Sequence, residues 1–261
     1  MDHVRPRFDF TAARVLITGA TSGIGRAIAD AFSQAGAAVA ITGRDEPRGK
    51  ATCDALRGRG AAVEFIPGDL THAGFCERLV QIAAARLGGL DVVVNAAGVI
   101  FHATVEETTD QQWLQTFNVN VNAMFYVCRA ALPLLRGNEN GGTIVNIASD
   151  AGLTGSRHLA AYCASKGAVI QLSRAMALDY AGEGVRVIPI CPGDVDTPML
   201  RGEFRQRGVD ADSGLAESAG AVPLQRVCTP EEVADLALYA ASPAARFMTG
   251  YPLVLDGGSR A

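Results

Sequence analysis

Tyr162 and Lys166 stand four positions apart in the run Tyr162-Cys163-Ala164-Ser165-Lys166. On a helix that spacing puts both side chains on one face. A phenol titrates near pH ~10 when nothing perturbs it. A neighbouring ammonium favours the phenolate and lowers that value toward a working range. The pair can therefore serve as a general acid or base. Alone it is a weak signal, because most such pairs are a surface tyrosine and a solvated lysine. Thirteen residues before the tyrosine, Ser149 follows the apolar run Thr143-Ile144-Val145-Asn146-Ile147-Ala148. A hydroxyl there would lie at the carboxyl end of a strand, where open α/β sheets bind ligands. Local sequence alone favours a turn or cap residue at this position.

A second constellation is the turn Thr18-Gly19-Ala20-Thr21-Ser22-Gly23-Ile24-Gly25. Gly19 suits a tight turn, Gly23 lets the backbone approach a pyrophosphate, and Gly25 lets a helix pack close to a sheet. The helix N-terminus that follows offers free N–H groups and partial positive charge to phosphates. Asp69, in Gly68-Asp69-Leu70, ends a third apolar run. Its carboxylate reads equally as an acceptor for an adenine amino group or as a cap for the next helix.

These residues need a scaffold, and apolar runs alternate with amphipathic stretches along the chain. Strands are predicted at 14–18, 39–42, 63–66, 91–95, 143–148, 185–191 and 253–255. Helices are predicted from Ile24 to Gly36, up to about Arg57, at 72–87, 106–135 with a break near Asn118, 160–180 and 230–241. Strands hidden on both faces imply a parallel sheet covered on both sides. Right-handed crossovers then give a doubly wound Rossmann-type α/β fold of about seven strands, one domain over 1–261. The stretch 194–221 shows no clear period and little to bury, so it is expected to be a loop that works as a substrate lid.

Composition narrows the function. Apolar residues make up 49%, enough for a sizeable core, and the net charge of −4 comes without a block of like charge. No nucleic acid or membrane surface is implied as a partner. No apolar run reaches spanning length, and residues 1–10 lack the apolar core of a signal peptide, so a cytoplasmic protein is expected. The six cysteines fall singly, with no metal-ligand spacing, and read as free, mostly buried thiols. No metal is expected.

Taken in order, the motifs resemble the short-chain dehydrogenase/reductase family from about Arg14 to Gly258. They are TGATSGIG at 18–25, GDL at 68–70, NAAG at 95–98, Asn120 in NVNAMF, Ser149 in IVNIASDAG, YCASK at 162–166, PGDVDT at 192–197 and LVLDGG at 253–258. The resemblance implies an NAD(P)-dependent oxidoreductase acting on a CH–OH group. Tyr162 would be the acid/base, and Lys166 would lower its pKa and bind the nicotinamide ribose. Ser149 would polarise the substrate carbonyl, and Asn120 would anchor a water leading to Lys166. The cofactor would lie along Thr18, Gly19, Thr21, Ser22, Gly23, Ile24 and Gly25, then Gly43, Arg44, Asp69 and Leu70. It would continue past Asn95, Ala96 and Gly98 to Tyr162, Lys166, Pro192, Gly193, Val195 and Thr197. Asn95 would also brace the central strands. Ala96 and Cys191 stand where the family usually has asparagine.

Cofactor choice turns on the end of the second strand, Thr42-Gly43-Arg44-Asp45. NAD enzymes of this fold place an acidic residue there for the ribose 2′-hydroxyl. Gly43 cannot repel a 2′-phosphate, and Arg44 can pair with one. NADP(H) is favoured and NAD(H) remains possible. Thr21 and Ser22 supply no second basic residue, and Asp45 could bind the ribose or hold Arg44 away. The expected substrate is a small polar alcohol or ketone of polyol, sugar-acid or hydroxy-acid type, with His102, Asp150, Arg157, His158 and Asp194 at the rim. Alternatives are a 3-oxoacyl-carrier-protein reductase, although no basic docking cluster is visible, and a non-catalytic cofactor sensor. An epimerase or dehydratase would need a larger substrate domain. The family commonly forms tetramers, so a homo-oligomer is expected, with faces of 106–135 and 160–180 between subunits.

Overall fold

A computed structural model describes residues 8–58, 60–138 and 141–261. Residues 1–7, most of the stretch read for a leader, lie outside the described residues. The strands are β1 Arg14–Thr18, β2 Ala38–Gly43, β3 Val63–Pro67, β4 Val92–Asn95, β5 Gly142–Ile147, β6 Val185–Pro192 and β7 Leu253–Leu255. They form one sheet in the order β3-β2-β1-β4-β5-β6-β7, and each pairing is parallel. Sequence order reverses between β1 and β4, so a crevice opens at their carboxyl ends.

Period-two alternation feeds two cores. Leu16, Val93, Ile144 and Val187 face one side of the sheet, while Val15, Ile17, Val92, Val94, Val145 and Ile188 face the other. Each fully buried Val, Leu or Ile contributes ~1.5–3 kcal/mol. The first core is closed by α3 (Ala73–Leu87), α5 (Ala123–Leu135) and α6 (Ala160–Tyr180). The second is closed by α1 (Gly23–Gln34), α2 (Glu46–Arg57) and α9 (Pro230–Ala241). At the opposite edge from the crevice, Arg14 grips Asp91 through two side-chain bonds of 2.7 and 2.6 Å, tying the start of β1 to that of β4. Among the described residues no helix is long and apolar enough to cross a membrane.

Two expectations change. The helix read over 106–135 begins at Asp110, where Thr109 and Gln112 form a capping box. This helix, α4 (Asp110–Phe117), passes through a π-helical turn at Asn118–Asn122 into α5. The stretch 194–221 is not a loop: it holds α7 (Pro198–Gln206) and α8 (Ala211–Ala221). Thr197 caps α7 with Pro198 at its first position, and Asp210 caps α8. Leu200 and Phe204, one turn apart, are buried. Gly214 of α8 lies so close under Phe204 that an added Cβ would stand 2.4 Å from the ring.

The turn after β5, Asp150–Gly152, carries α6 on its back. A Cβ on Gly152 would lie 2.6 Å from the Lys166 carbonyl carbon. The helix that bears Tyr162 and Lys166 is thus seated backbone on backbone. Gly152→Ala should force α6 outward and cost roughly 1–3 kcal/mol, the usual range for overpacking. Chemical denaturation measures this, and unchanged stability would mean that the helix has slack at this contact.

Candidate active site

The crevice between β1 and β4 holds a cleft of about 440 Å³ roofed by the glycine turn. Gly19 has φ +67°, and a Cβ there would strike the Ala97 backbone at 2.7 Å. A Cβ on Gly25 would lie 2.4 Å from the Gly19 carbonyl oxygen, so the turn folds tightly onto its own helix. Ser22, the N-cap of α1, makes no side-chain capping bond, which leaves N–H groups of the first turn open toward the cleft. Such a cradle suits a pyrophosphate.

Most of the sequence-predicted cofactor residues line this cleft: Gly19, Thr21, Ser22, Gly23, Ile24, Gly25, Gly43, Arg44, Asp69, Leu70, Ala96, Gly98 and Thr197. Thr18 and Asn95 do not. Thr18 Oγ1 accepts from Ala96 and Ala97 N–H at 3.2 and 3.4 Å, behind the wall. Asn95 is buried and donates to Asn146 Oδ1 at 2.9 Å, and Asn146 donates on to Ser173 at 2.9 Å, so it braces β4, β5 and α6. Asp69 is not a helix cap. It accepts from the Thr71 N–H and hydroxyl, both at 2.9 Å. Burial opposes its charge, but those bonds and the Arg44 guanidinium hold its carboxyl below the usual range.

A second cavity of about 160 Å³ shares Ile24, Ala96, Gly98, Thr197 and Met199 with the first. It brings together Ser149, Tyr162 and Lys166, with Pro192, Gly193 and Val195 on the wall next to the cleft. Ser149 is both things its sequence allowed. It accepts from Ala151 N–H at 3.2 Å as a cap, and it lines the cavity. Lys166 is buried, and its Nζ donates to the Ile147 carbonyl at 2.8 Å. The ammonium stands 5.6 Å from the centre of the Tyr162 ring. Asn120 lines neither cavity. It holds the Val99 backbone through two bonds of 2.8 and 3.0 Å and donates to Ser165 Oγ at 3.0 Å.

Burial dominates the electrostatics. It pushes the Tyr162 phenol above its ordinary range, opposed by a hydrogen bond with Ser149 and reinforced by the Asp150 and Glu203 carboxylates. The expected depression by Lys166 is therefore not the leading effect in the protein alone. Burial lowers Lys166 to about 8, and nearby Cys191 opposes this. Cys191 is fully buried in β6, with its thiol raised to about 11 by the same desolvation, and it reads as strand packing.

At the rim, Asp150 and Asp194 line the second cavity, but His102, Arg157 and His158 do not. The two histidine rings stack on each other at 4.8 Å instead. Sequence reading missed Arg48, which lines the cleft beside Arg44, and Glu203 and Arg260, which line the second cavity. Arg48 stands four residues after Arg44, in the first turn of α2, and that spacing was readable. Asp45 caps α2 and pairs with Arg48 at 2.7 Å, not with Arg44. Among the described residues no group of His, Cys, Asp and Glu is placed to hold a metal.

Comparison with known proteins agrees with this geometry. A family model described as enoyl-(acyl carrier protein) reductase matches residues 19–260. A 3beta-hydroxysteroid dehydrogenase of Mediterraneibacter gnavus is 38% identical over 94% of this chain and 93% of its own. A meso-2,3-butanediol dehydrogenase of Serratia marcescens is 37% identical over 95% and 94% of the two chains. A variant of actinorhodin polyketide ketoreductase, crystallised with NADPH, superposes with a TM-score of 0.90 at 33% identity, covering 95% of this chain and 97% of that one. The glycine turn at the switch of the sheet, the serine, tyrosine and lysine in one cavity and these matches agree: the chain belongs to the short-chain dehydrogenase/reductase family.

Proposed function

We propose that the protein interconverts a small polar alcohol and its ketone, with Tyr162 as the acid/base. The reading is carried by the meeting of Ser149, Tyr162 and Lys166 in a cavity that shares a wall with the cleft under the glycine turn. The cradle at Gly19 and Gly25 and the open N-terminus of α1 fit a dinucleotide. A nicotinamide cofactor, when bound, supplies or accepts the hydride. In reduction Tyr162 gives its hydroxyl proton to the substrate oxygen as the carbonyl becomes an alcohol. In oxidation the tyrosinate takes that proton back. Ser149 donates to the same oxygen and holds it against the phenol. Lys166 supplies the positive charge that makes a tyrosinate affordable in a desolvated cavity.

The cavity wall is mixed. Ile100, Leu159 and Leu200 are apolar, while Asp194, Glu203 and Ser156 are polar. Burial and the facing Asp194 push the Glu203 carboxyl above the usual range. That lining favours a compact substrate with more than one polar group. Among the related proteins the named activities run from a steroid to butanediol, so the wall carries this part of the reading. Tyr162→Phe should lower turnover by at least about a hundredfold, the lower end of general acid–base catalysis, while cofactor titration is unchanged. A panel of diols, polyols and their ketones, followed by cofactor absorbance, tests both points. Near-normal turnover in the variant would remove Tyr162 from its role.

The segment 194–221 is read as a lid, now as a helical one. Met199, Leu200 and Glu203 of α7 line the cavity, and the Gln206 side chain accepts from the His102 N–H at 2.9 Å. α7 and α8 pack chiefly on each other, so they can move as a unit. Hydrogen exchange should show weaker protection there than in β4 and β5, and a gain when cofactor and substrate are both present. Protection already high and indifferent to ligands would end the lid reading.

NADP(H) is the favoured cofactor. Arg44 has no hydrogen-bond or ion-pair partner among the described residues, and Arg48 adds a second guanidinium to the same end of the cleft. Arg44→Ala should weaken NADP(H) by roughly tenfold or more relative to NAD(H), the scale of one lost charge-assisted bond. The reverse change needs two substitutions. A Cβ on Gly43 would meet Thr21 Cγ2 at 2.5 Å, so Gly43→Asp is best combined with Thr21→Ser to shift preference toward NAD(H). A wild-type preference for NAD(H), with Arg44→Ala affecting both cofactors equally, would overturn this reading.

A further inference from the structure

The C-terminal turn reaches the candidate active site, although the family motifs end before it. After β7, Asp256 organises the tail. Its carboxylate accepts from the Gly258 and Arg260 N–H groups, each at 2.9 Å, and its carbonyl accepts the Ser259 hydroxyl at 2.8 Å. The turn aims the Arg260 side chain at residues more than a hundred positions earlier. Arg260 Nε donates to Asp150 Oδ2 at 3.0 Å, and Nη2 donates to Ser156 Oγ at 3.4 Å. The other Asp150 oxygen accepts the Ser149 hydroxyl at 3.2 Å. Arg260, Asp150, Ser149 and Tyr162 line the same cavity.

We propose that Arg260 is a positioning residue of this active site: it pins the Asp150 carboxylate and, through it, governs the Ser149 hydroxyl. The inference rests on the roles given above to Ser149 and Tyr162. The Asp150 side chain is only 13% exposed, and a carboxylate so placed is costly without a cation. Among the described residues Arg260 is the only cation within ion-pair distance of it. Ser149 has one proton, and the Asp150 carboxylate, 3.2 Å away, competes for it with the Tyr162 oxygen that Ser149 also hydrogen-bonds. A substrate oxygen must compete for it. With Arg260 in place, Asp150 is a weaker acceptor, so Ser149 keeps its orientation and still yields the proton to substrate. Without Arg260, the carboxylate holds that proton more strongly.

The same loss reaches Tyr162. The charged and titratable groups facing it are Asp150 from the turn after β5, Glu203 from α7, and Cys163 and Lys166 from its own helix. Asp150 and Glu203 both oppose the phenolate. Removing the cation that offsets Asp150 strengthens that opposition, and the phenol then titrates higher. Alcohol oxidation needs the phenolate, so its acidic limb should move to higher pH.

The test is the pH dependence of kcat/KM for oxidation of the best alcohol in the panel. It compares wild type, Arg260→Ala, Arg260→Lys, and Arg260→Ala combined with Asp150→Asn. Arg260→Ala should lower kcat roughly tenfold, a part of what acid–base catalysis supplies. Its acidic limb should rise by about one pH unit, the low end for a nearby charge, with cofactor affinity unchanged. Arg260→Lys should recover most of the loss, and the double variant should return the limb to its wild-type place. A limb that stays put in Arg260→Ala, or that remains displaced in the double variant, overturns the inference. Tyr162→Phe runs beside them as the control. If it is silent while Arg260→Ala behaves as wild type, only the role of Arg260 falls. If it turns over normally, the active-site assignment falls and this inference with it.

Discussion

A buried ammonium is the constraint around which the rest is arranged. Lys166 lies almost wholly out of solvent and donates to the last carbonyl of β5. Burying such a charge is expensive, and its lowered pKa registers the cost. The position is held because α6 sits directly on the turn after β5 through Gly152. It is held again by the chain Asn95–Asn146–Ser173, which ties α6 to the central strands. A helix fixed this firmly keeps Tyr162 and Lys166 aimed at one cavity. Precision at the chemical centre is obtained from a backbone seat at Gly152 and from buried side-chain hydrogen bonds, with little left to flexible exposed side chains.

The sheet was legible because its strands are buried on both faces and so read as short apolar runs. The helix 160–180 was legible from its length, 21 residues without a proline. The stretch 194–221 reads as a loop because it shows no clear period and little to bury, yet it is helical. Gly214 is a packing residue that makes room for the Phe204 ring. The spacing of Leu200 and Phe204 and the caps at Thr197 and Asp210 were present in the sequence, but α7 and α8 are each too short for periodicity to outweigh their charge. The break expected near Asn118 falls in Asn118-Val119-Asn120-Val121-Asn122, where asparagine alternates with valine. That it would be a π-turn was not legible.

The site divides in the same way. Residues that act through backbone geometry, such as Gly19 and Gly25, were readable from type and spacing. Residues that act through a partner far along the chain were not. Arg260 means nothing until Asp150 is seen opposite it, and Glu203 looks like one more surface acid until α7 is folded over the cavity. The sequence placed His102 and His158 at the rim because polar residues cluster there. In the structure they stack on each other, and Asp150, Asp194, Glu203 and Arg260 supply the charged groups of the cavity beside Lys166. Thr18 and Asn95 show a further limit, since a residue inside a binding motif can serve the wall and never face the ligand.

The all-parallel sheet has a consequence for how the protein comes into being. Every strand pairing spans a crossover, so none can form as a local hairpin. The cleft needs Gly19 from the first crossover and Thr197 from the far side of β6. A chain still emerging from the ribosome therefore lacks the cleft wall formed by Thr197, Pro198 and Met199 until its later strands have docked. Folds with such distant pairings assemble slowly, and their intermediates expose apolar edges. Ligand stabilises the finished molecule by mass action. The cellular cofactor pool would thus bear on how long the folded enzyme persists.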